Sequence, residues 1–539
     1  MARSVILRRW QKTALERLAA SPHADFLAVA TPGAGKTTFA LTAARQAIAA
    51  GQAKRLVVVA PTQHLKLQWA KAAATFDLHL DPSWAAADGA LPRDMHGIVT
   101  TYQQVATSAA VLRALCPNAF VVFDEIHHAA DDRAWGDAVR EAFEPATQRL
   151  SLSGTPFRSD TSPIPFVHYD DTEQAVADFE YGYGDALHDG GVVRPVYFPR
   201  LDGHMEWTAP DGSHHSHSFD DALDHVRANQ RLRTALSVEG DWLPTVLAQA
   251  HQRLVEIRRS QPDAGGLIIA TDQEHAKGIA GLLRGRLGVQ AVVATSDDPD
   301  ASSLITSFAT GTQPWIVAVR MVSEGVDIPR LRVGVFATTT TTELFFRQAV
   351  GRLVRWVRGV PGQRSYLFIP DDPRLRARAF ALAEQRRHSL SRERVMERAQ
   401  VERELMPGDE EQMSLFAVIS ATPLGETDGP DWITDEAPWD GIDVDDDALV
   451  LDLPPLPWGV LVHDADGGGD GRTRREQKEM LRLANADRAR DIARATKQTH
   501  AQVNAELNRM SGITRITEAT VEQLKRRLRY ADGWRRRTF

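Results

Sequence analysis

The sequence predicts an α/β protein with two tandem parallel-sheet domains, an irregular insert between them and a small α-helical C-terminal domain. Three observations predict it. Residues 1–160 alternate short apolar strands with helical stretches, and the same alternation resumes from residue 265. From residue 473 onward the pattern is helical and rich in arginine. The length of 539 residues exceeds the ~250–300 at which single cores stop growing. A composition of 43% hydrophobic and 25% charged residues is ordinary for a globular chain.

The first domain is expected over residues 1–165, with strands at "FLAVA" (26–30), "RLVVVA" (55–60), "GIVTT" (97–101), "FVVFD" (120–124) and "RLSLSG" (149–154). Residues 166–245 break the pattern and read as a connecting insert: an irregular strand pair in "VVRPVYFPRLDGHMEWTAP", then the helical "SFDDALDHVRANQRLRTALSV". The second domain, 246–400, carries strands at "GGLIIATD" (265–272), "QAVVAT" (290–295), "PWIVAVR" (314–320), "RVGVFAT" (332–338) and "SYLFIP" (365–370). Residues 401–472 read as an acidic linker, rich in Asp, Pro and Gly, with one short strand at "DDALVLDLP". Residues 473–539 form the basic helical domain.

The net charge of −8 conceals an asymmetry. Residues 409–470 hold 17 Asp and Glu with no Lys or Arg, whereas 472–539 hold 18 Lys and Arg against 8 Asp and Glu. The basic tail therefore speaks for a polyanionic or acidic partner in a way the whole-chain charge does not. No apolar run approaches the ~20 residues that span a bilayer. The opening "MARSVILRRWQ" lacks a secretory pattern, and the lone Cys116 forbids an internal disulfide, so cytoplasm is the expected compartment. Cys116 is expected to be a small buried residue.

The chemistry begins in "FLAVATPGAGKTTFALTAARQ". A strand ends at Ala30, a glycine-rich turn follows, and Lys36-Thr37 open a helix. Successive backbone N–H groups and a helix N-terminus then surround a phosphate. Pro32, Gly33, Ala34, Gly35, Lys36, Thr37 and Thr38 form this loop. Gly33 and Gly35 permit the bend, Lys36 reaches the β- and γ-phosphates, and the Thr37 hydroxyl ligates Mg²⁺. Ala30 stands where the usual pattern begins with glycine.

A second element lies 88 residues on, in "NAFVVFDEIHHAADD". A buried strand delivers Asp124 to hold Mg²⁺ with Thr37, and Glu125 to orient and deprotonate an attacking water. A third is "FFRQAVGRLVR" (345–355), in which helical spacing puts Gln348, Arg352 and Arg355 on one face. Arginines of this kind stabilise charge that develops on a transferring phosphoryl group.

In order, "RRWQKTAL", "ATPGAGKT", "APTQHLKLQW", "TTYQQ", "FDEIHH", "LSGTPFR", "IIATDQEHA", "MVSEGVDIP" and "QAVGRLVR" resemble the motifs of superfamily 2 helicases and translocases of the DExH kind. The match covers roughly residues 5–372 and is nearest to the group of the XPB repair helicase, restriction-enzyme motor subunits and phage helicases. The resemblance implies two RecA-like domains closing on ATP and Mg²⁺. It implies that Gln11 reads adenine, that Asp124-Glu125-Ile126-His127 is the DEIH box, and that Gly325 and Asp327 lie near the ribose. Gln348, Arg352 and Arg355 would complete the catalytic set from the second domain. His127, Ser153, Gly154 and Thr155 would couple nucleotide state to the tracked strand. Pro61, Thr62, Thr101, Tyr102 and Thr271 would touch the nucleic-acid backbone, independently of sequence.

The expected activity is ATP-dependent movement along, or unwinding of, nucleic acid, with DNA favoured over RNA by analogy. The alternatives are an RNA helicase and an ATP-switched motor subunit of a restriction or defence complex that does not unwind. Protein partners would dock through the C-terminal domain, and no membrane partner is expected.

Overall fold

The computed structural model describes residues 3–86, 95–130, 133–154, 163–171, 175–208, 213–295, 298, 301–319, 328–386, 449–454, 456, 474–496, 498–514, 516 and 519–538. Thr155, Gly325, Asp327 and most of the acidic linker lie outside the described residues. The chain forms two units, one holding residues 1–30, 35–180 and 447–539, the other 31–34 and 181–446.

In chain order the first unit contains β1 (Arg3–Leu7), α1 (Arg9–Ala20), β2 (Asp25–Ala30), α2 (Lys36–Ala49), β3 (Arg55–Ala60), α3 (Gln63–Ala74), β4 (Leu80–Asp81) and β5 (Gly97–Thr101). It continues with α4 (Tyr102–Leu115), β6 (Ala119–Phe123), α5 (Arg133–Phe143), β7 (Gln148–Ser153), the hairpin of β8 (His168–Tyr169) and β9 (Ala175–Val176), and β10 (Phe179–Tyr181). The seven-stranded sheet runs β10-β2-β7-β6-β3-β5-β4, parallel from β2 to β4. Each expected strand lies within one residue of its sequence reading. The reason is local: these runs are apolar on both faces, as strands between two helical layers must be. Leu56 to Ala60, for example, are all 2% exposed or less. Each such Val or Leu contributes ~1.5–3 kcal/mol on burial.

The strand order positions the chemistry. Because β7 lies between β2 and β6, their carboxyl ends sit side by side. The phosphate loop, Asp124-Glu125 and Gly154 therefore leave the sheet as neighbours although up to 122 residues separate them in sequence.

The second unit contains α6 (Tyr183–His188), β11 (Val196–Tyr197), β12 (Arg200–Leu201), β13 (His204–Thr208), β14 (His214–Ser218), α7 (His225–Ala235), α8 (Trp242–Arg258), β15 (Gly265–Ala270) and α9 (Gln273–Leu287). It continues with β16 (Ala291–Ala294), α10 (Ala301–Thr310), β17 (Trp315–Val319), β18 (Leu331–Ala337), α11 (Glu343–Leu353), β19 (Ser365–Pro370) and α12 over 373–386. Its sheet runs β11-β19-β18-β15-β17-β16, with β12 also pairing β19, and every ladder is parallel.

The stretch read as an irregular strand pair divides in two. Residues 196–201 extend the second sheet along β19, interrupted at Pro199, which lacks an N–H but accepts from Ile369. β13 and β14 pair antiparallel with each other, and Met205 and Trp207 of β13 face the core.

The short strand expected in the linker is present as β20 (Leu449–Leu453), paired antiparallel with β1. Arg45, on α2 and 4% exposed, donates to the Pro454 carbonyl and so pins the returning chain to the helix that follows the phosphate loop. The C-terminal domain is a three-helix bundle of α13 (Arg474–Thr496), α14 (His500–Ser511) and α15 (Val521–Thr538). Its core includes Ala489, Ile492, Val503, Leu507 and Ala531, and Gly512 ends α14 in the left-handed conformation. No helix among the described residues is long and apolar enough to cross a membrane.

Candidate functional site

The loop after β2 turns on two glycines in the left-handed region, Gly33 at φ +85° and Gly35 at φ +95°. A Cβ on Gly35 would stand 2.7 Å from Gln11 Nε2, which donates to the Gly35 carbonyl at 2.9 Å. Gln11 is thereby fixed against the loop. Gly35 caps α2 without a side-chain hydrogen bond, so a bound anion, and no capping side chain, is what the first amides of α2 suit.

Lys36 Nζ donates to the Ala30 carbonyl at 3.1 Å and pairs with Glu125 Oε1 at 3.2 Å. Glu125 itself has φ +48°, a conformation costing a non-glycine residue ~1–3 kcal/mol. Three partners hold it there: Lys36, the Gly154 amide donating to Oε2 at 3.1 Å, and His127 Nδ1 at 3.7 Å from the same oxygen. Burial alone would raise the Glu125 pKa, but Lys36 first and His127 next outweigh it and hold it at about 2. Asp124 moves the other way. Burial, with the adjacent Glu125 charge, pushes it up to about 6, although the Trp69 indole donates to Oδ2 at 2.8 Å. The backbone of Asp124 is fixed on both sides, its N–H donating to Val59 and its carbonyl accepting from the Tyr102 hydroxyl.

Thr37 and the two carboxylates are hard oxygen donors. Among the described residues no group of three or more His, Cys, Asp or Glu is arranged to cage a metal. Mg²⁺ fits such a place, because it is usually held by one or two carboxylates together with substrate phosphates.

The coupling and nucleic-acid candidates divide. Ser153 is fully buried and Gly154 carries the link to Glu125, while His127 is 7% exposed and packs 4.4 Å from His128. Pro61 and Thr62 follow β3, where Thr62 caps α3 by accepting from Leu65. Thr101 and Tyr102 are 3% and 0% exposed, Thr101 capping α4 and Tyr102 supporting Asp124. Their side chains turn to the protein's own backbone, not outward. In the second unit Thr271 leaves the end of β15 and donates to the Ala337 carbonyl at 3.4 Å.

The shared face expected for Gln348, Arg352 and Arg355 needs correction. Helix α11 ends at Leu353, so Gln348 and Arg352 share a face, but Arg355 lies beyond the cap in an antiparallel bridge with Val193. Arg194 explains the stop. It is fully buried and donates to the carbonyls of Arg355, Pro329 and Leu331, while its own amide donates to Val354. Sequence reading missed Arg194 and Trp69. The available signals were an arginine inside the apolar run "VVRPVYF" and a lone tryptophan in "HLKLQW".

Two family models match the chain in order: the type III restriction enzyme res subunit over residues 4–158, and the helicase conserved C-terminal domain over 249–357. The chain is of the superfamily 2 helicase type. The first match of this helicase-type chain contains Lys36, Asp124, Glu125 and Gly154, and the second contains Thr271, Gln348, Arg352 and Arg355. The basic bundle lies outside both.

Among whole proteins, an uncharacterized protein of Mycobacterium tuberculosis is 48% identical over 392 residues, 72% of this chain and 65% of its own length. An uncharacterized protein of Mycobacterium leprae is 46% identical over the same shares. The chain thus spans about 65% of the length of these relatives. Among solved structures, a fragment assigned as the HsdR subunit of a type I restriction enzyme from Vibrio vulnificus aligns at TM-score 0.49 and 16% identity, covering 69% of this chain and 65% of that one. The ATP-dependent type ISP restriction-modification enzyme LlaBIII bound to DNA aligns at 0.45 and 16%, covering 68% and 27%. Saccharomyces cerevisiae Dbp5 bound to RNA and ADP BeF3 aligns at 0.44 and 15%, covering 70% and 87%.

Proposed function

We propose that this helicase-type chain is a nucleic-acid-stimulated ATPase that moves along or unwinds nucleic acid, DNA in preference to RNA. The observation that carries the reading is the linkage Lys36–Glu125–Gly154, which joins the phosphate loop, the acidic box and the exit of β7 through one carboxylate. Gln11 would read the adenine and the amides of residues 32–38 would hold the phosphates. Thr37 and Asp124 would hold Mg²⁺, which neutralises phosphate charge when bound.

Glu125 has a physical switch in its surroundings. Lys36 keeps it strongly acidic. A triphosphate competes for Lys36, and burial then raises the proton affinity of the carboxylate. Glu125 becomes a better base for the attacking water when substrate is present. The same carboxylate holds Gly154, so a change in its partners reaches the segment after β7. Gln348, Arg352 and Arg355 would contribute from the second domain, and Gly325 and Asp327 would lie near the ribose.

ATPase rates with single-stranded, duplex and forked DNA and with RNA test this reading, alongside strand displacement. Hydrolysis stimulated most by DNA and abolished in Lys36→Ala is the expected result. Normal turnover in Lys36→Ala refutes the phosphate-loop assignment, and stimulation only by RNA reverses the substrate preference. The match to a restriction-enzyme res subunit favours one second reading, a motor subunit of a restriction or defence assembly. DNA-stimulated hydrolysis without strand displacement supports it.

A further inference from the structure

The C-terminal bundle is absorbed by neither family match, and its charge is organised. Arg527, fully buried on α15, donates to the side-chain oxygens of Asn485, Asn504 and Asn508 at 3.0, 2.6 and 2.9 Å. These acceptors are neutral amides. A guanidinium stays protonated in proteins, so the bundle holds a buried positive charge to which, among the described residues, no carboxylate is bonded. Low-dielectric surroundings screen that charge weakly, and its field reaches the surface.

The surface of the same helix adds to it. Lys525, Arg526, Arg529 and Tyr530 are exposed, Tyr530 by 39%. Lys525 pairs with Glu522 at 3.3 Å, but among the described residues neither Arg526 nor Arg529 has an ion-pair partner. They stand three apart, hence on one face of the helix. Elsewhere in the bundle Asp532 pairs with Arg488, Asp487 with Arg490, and Glu506 with Arg509.

We infer that this face of α15 is a second nucleic-acid grip, separate from the motor domains, in which Arg526 and Arg529 contact backbone phosphates and Tyr530 offers a ring to a base or sugar. An arginine pair one helical turn apart beside an exposed aromatic suits a phosphate chain carrying stackable bases. The inference rests on the nucleic-acid reading above but not on hydrolysis.

The test uses the full chain carrying Arg526→Glu and Arg529→Glu, with Arg526→Lys and Arg529→Lys as the conservative control. Binding to fluorescent single-stranded and duplex DNA is read by anisotropy across a salt series, and basal ATPase without nucleic acid reports on the motor site. Two lost phosphate contacts flatten the log–log salt slope by ~2 on duplex. The expected result is at least a tenfold loss of affinity (roughly 1.4 kcal/mol) for the Glu variant, retention by the Lys variant, and unchanged basal ATPase. Unchanged affinity and slope in the Glu variant overturn the inference. Tighter binding also overturns it, and would mean that the stripe instead pairs with the acidic residues 409–470. If the parent chain lacks ATPase yet loses DNA binding on charge reversal, the motor reading fails and the grip stands.

Discussion

Replacing Trp69 with Phe removes one hydrogen bond from the acidic box and leaves most of the ring volume in place. Trp69 is 2% exposed, and its indole N–H lies 2.8 Å from Asp124 Oδ2. A hydrogen bond to a charged group contributes about 1.5–3 kcal/mol. It acts on the ionised carboxylate alone, so the variant's Asp124 should bind a proton about 10- to 150-fold more tightly. Asp124 already stands at about 6, against 3.8 for an unperturbed carboxyl. Its folded value is raised, so the folded state holds the extra proton between those limits. Stability from this group is therefore greatest at low pH and falls as pH rises through the window. In Trp69→Phe the upper limit moves above neutrality.

Thermal unfolding of parent and variant from pH 5 to 9 reads this directly. The variant's deficit should approach about 1.5–3 kcal/mol at the alkaline end, where both carboxyls are ionised, and close toward pH 5. In ATPase assays at pH 7 the half-saturating Mg²⁺ concentration should rise about 2- to 15-fold, because less of the carboxylate is ionised. A deficit that does not vary with pH, together with an unchanged Mg²⁺ dependence, refutes the argument.

Two further predictions concern the second unit and the lone thiol. Arg352→Ala should leave nucleotide binding largely intact while lowering kcat, by as much as ~10³–10⁵ if it stabilises the transferring phosphoryl group. Loss of binding with normal turnover, measured by nucleotide titration and steady-state hydrolysis, contradicts that role. Cys116 is fully buried and its thiol is pushed up to about 12 by burial. It should resist alkylation at pH 8 in the folded protein and react fully in denaturant; rapid labelling without denaturant would show that this part of the fold opens.

Much of the molecule was legible before any coordinates. The parallel strands announce themselves as apolar runs, because a strand covered on both faces has no polar side to alternate. The phosphate loop is equally local: strand, glycines and helix start are contiguous, and φ is set by residues 33 and 35 themselves. The adjacency of Lys36, Glu125 and Gly154 is different in kind. It follows from β7 pairing between β2 and β6, a long-range choice made by packing.

The end of α11 was likewise invisible. Its sequence continues a helical spacing to Arg355, but the buried Arg194 captures the carbonyls of the segment from a position 161 residues away and draws it into a bridge. Thr101 and Tyr102, expected at the nucleic-acid backbone, have hydroxyls that cap α4 and support the Asp124 carbonyl. Local sequence by itself determined which residue types stand in the loop after β2 and at the end of β6, since residue type and backbone conformation are properties of short stretches. Which of them meet, and which arginine shares a face with Gln348, only the tertiary structure decided, since buried charges must be satisfied by whatever partners the folded chain brings within reach.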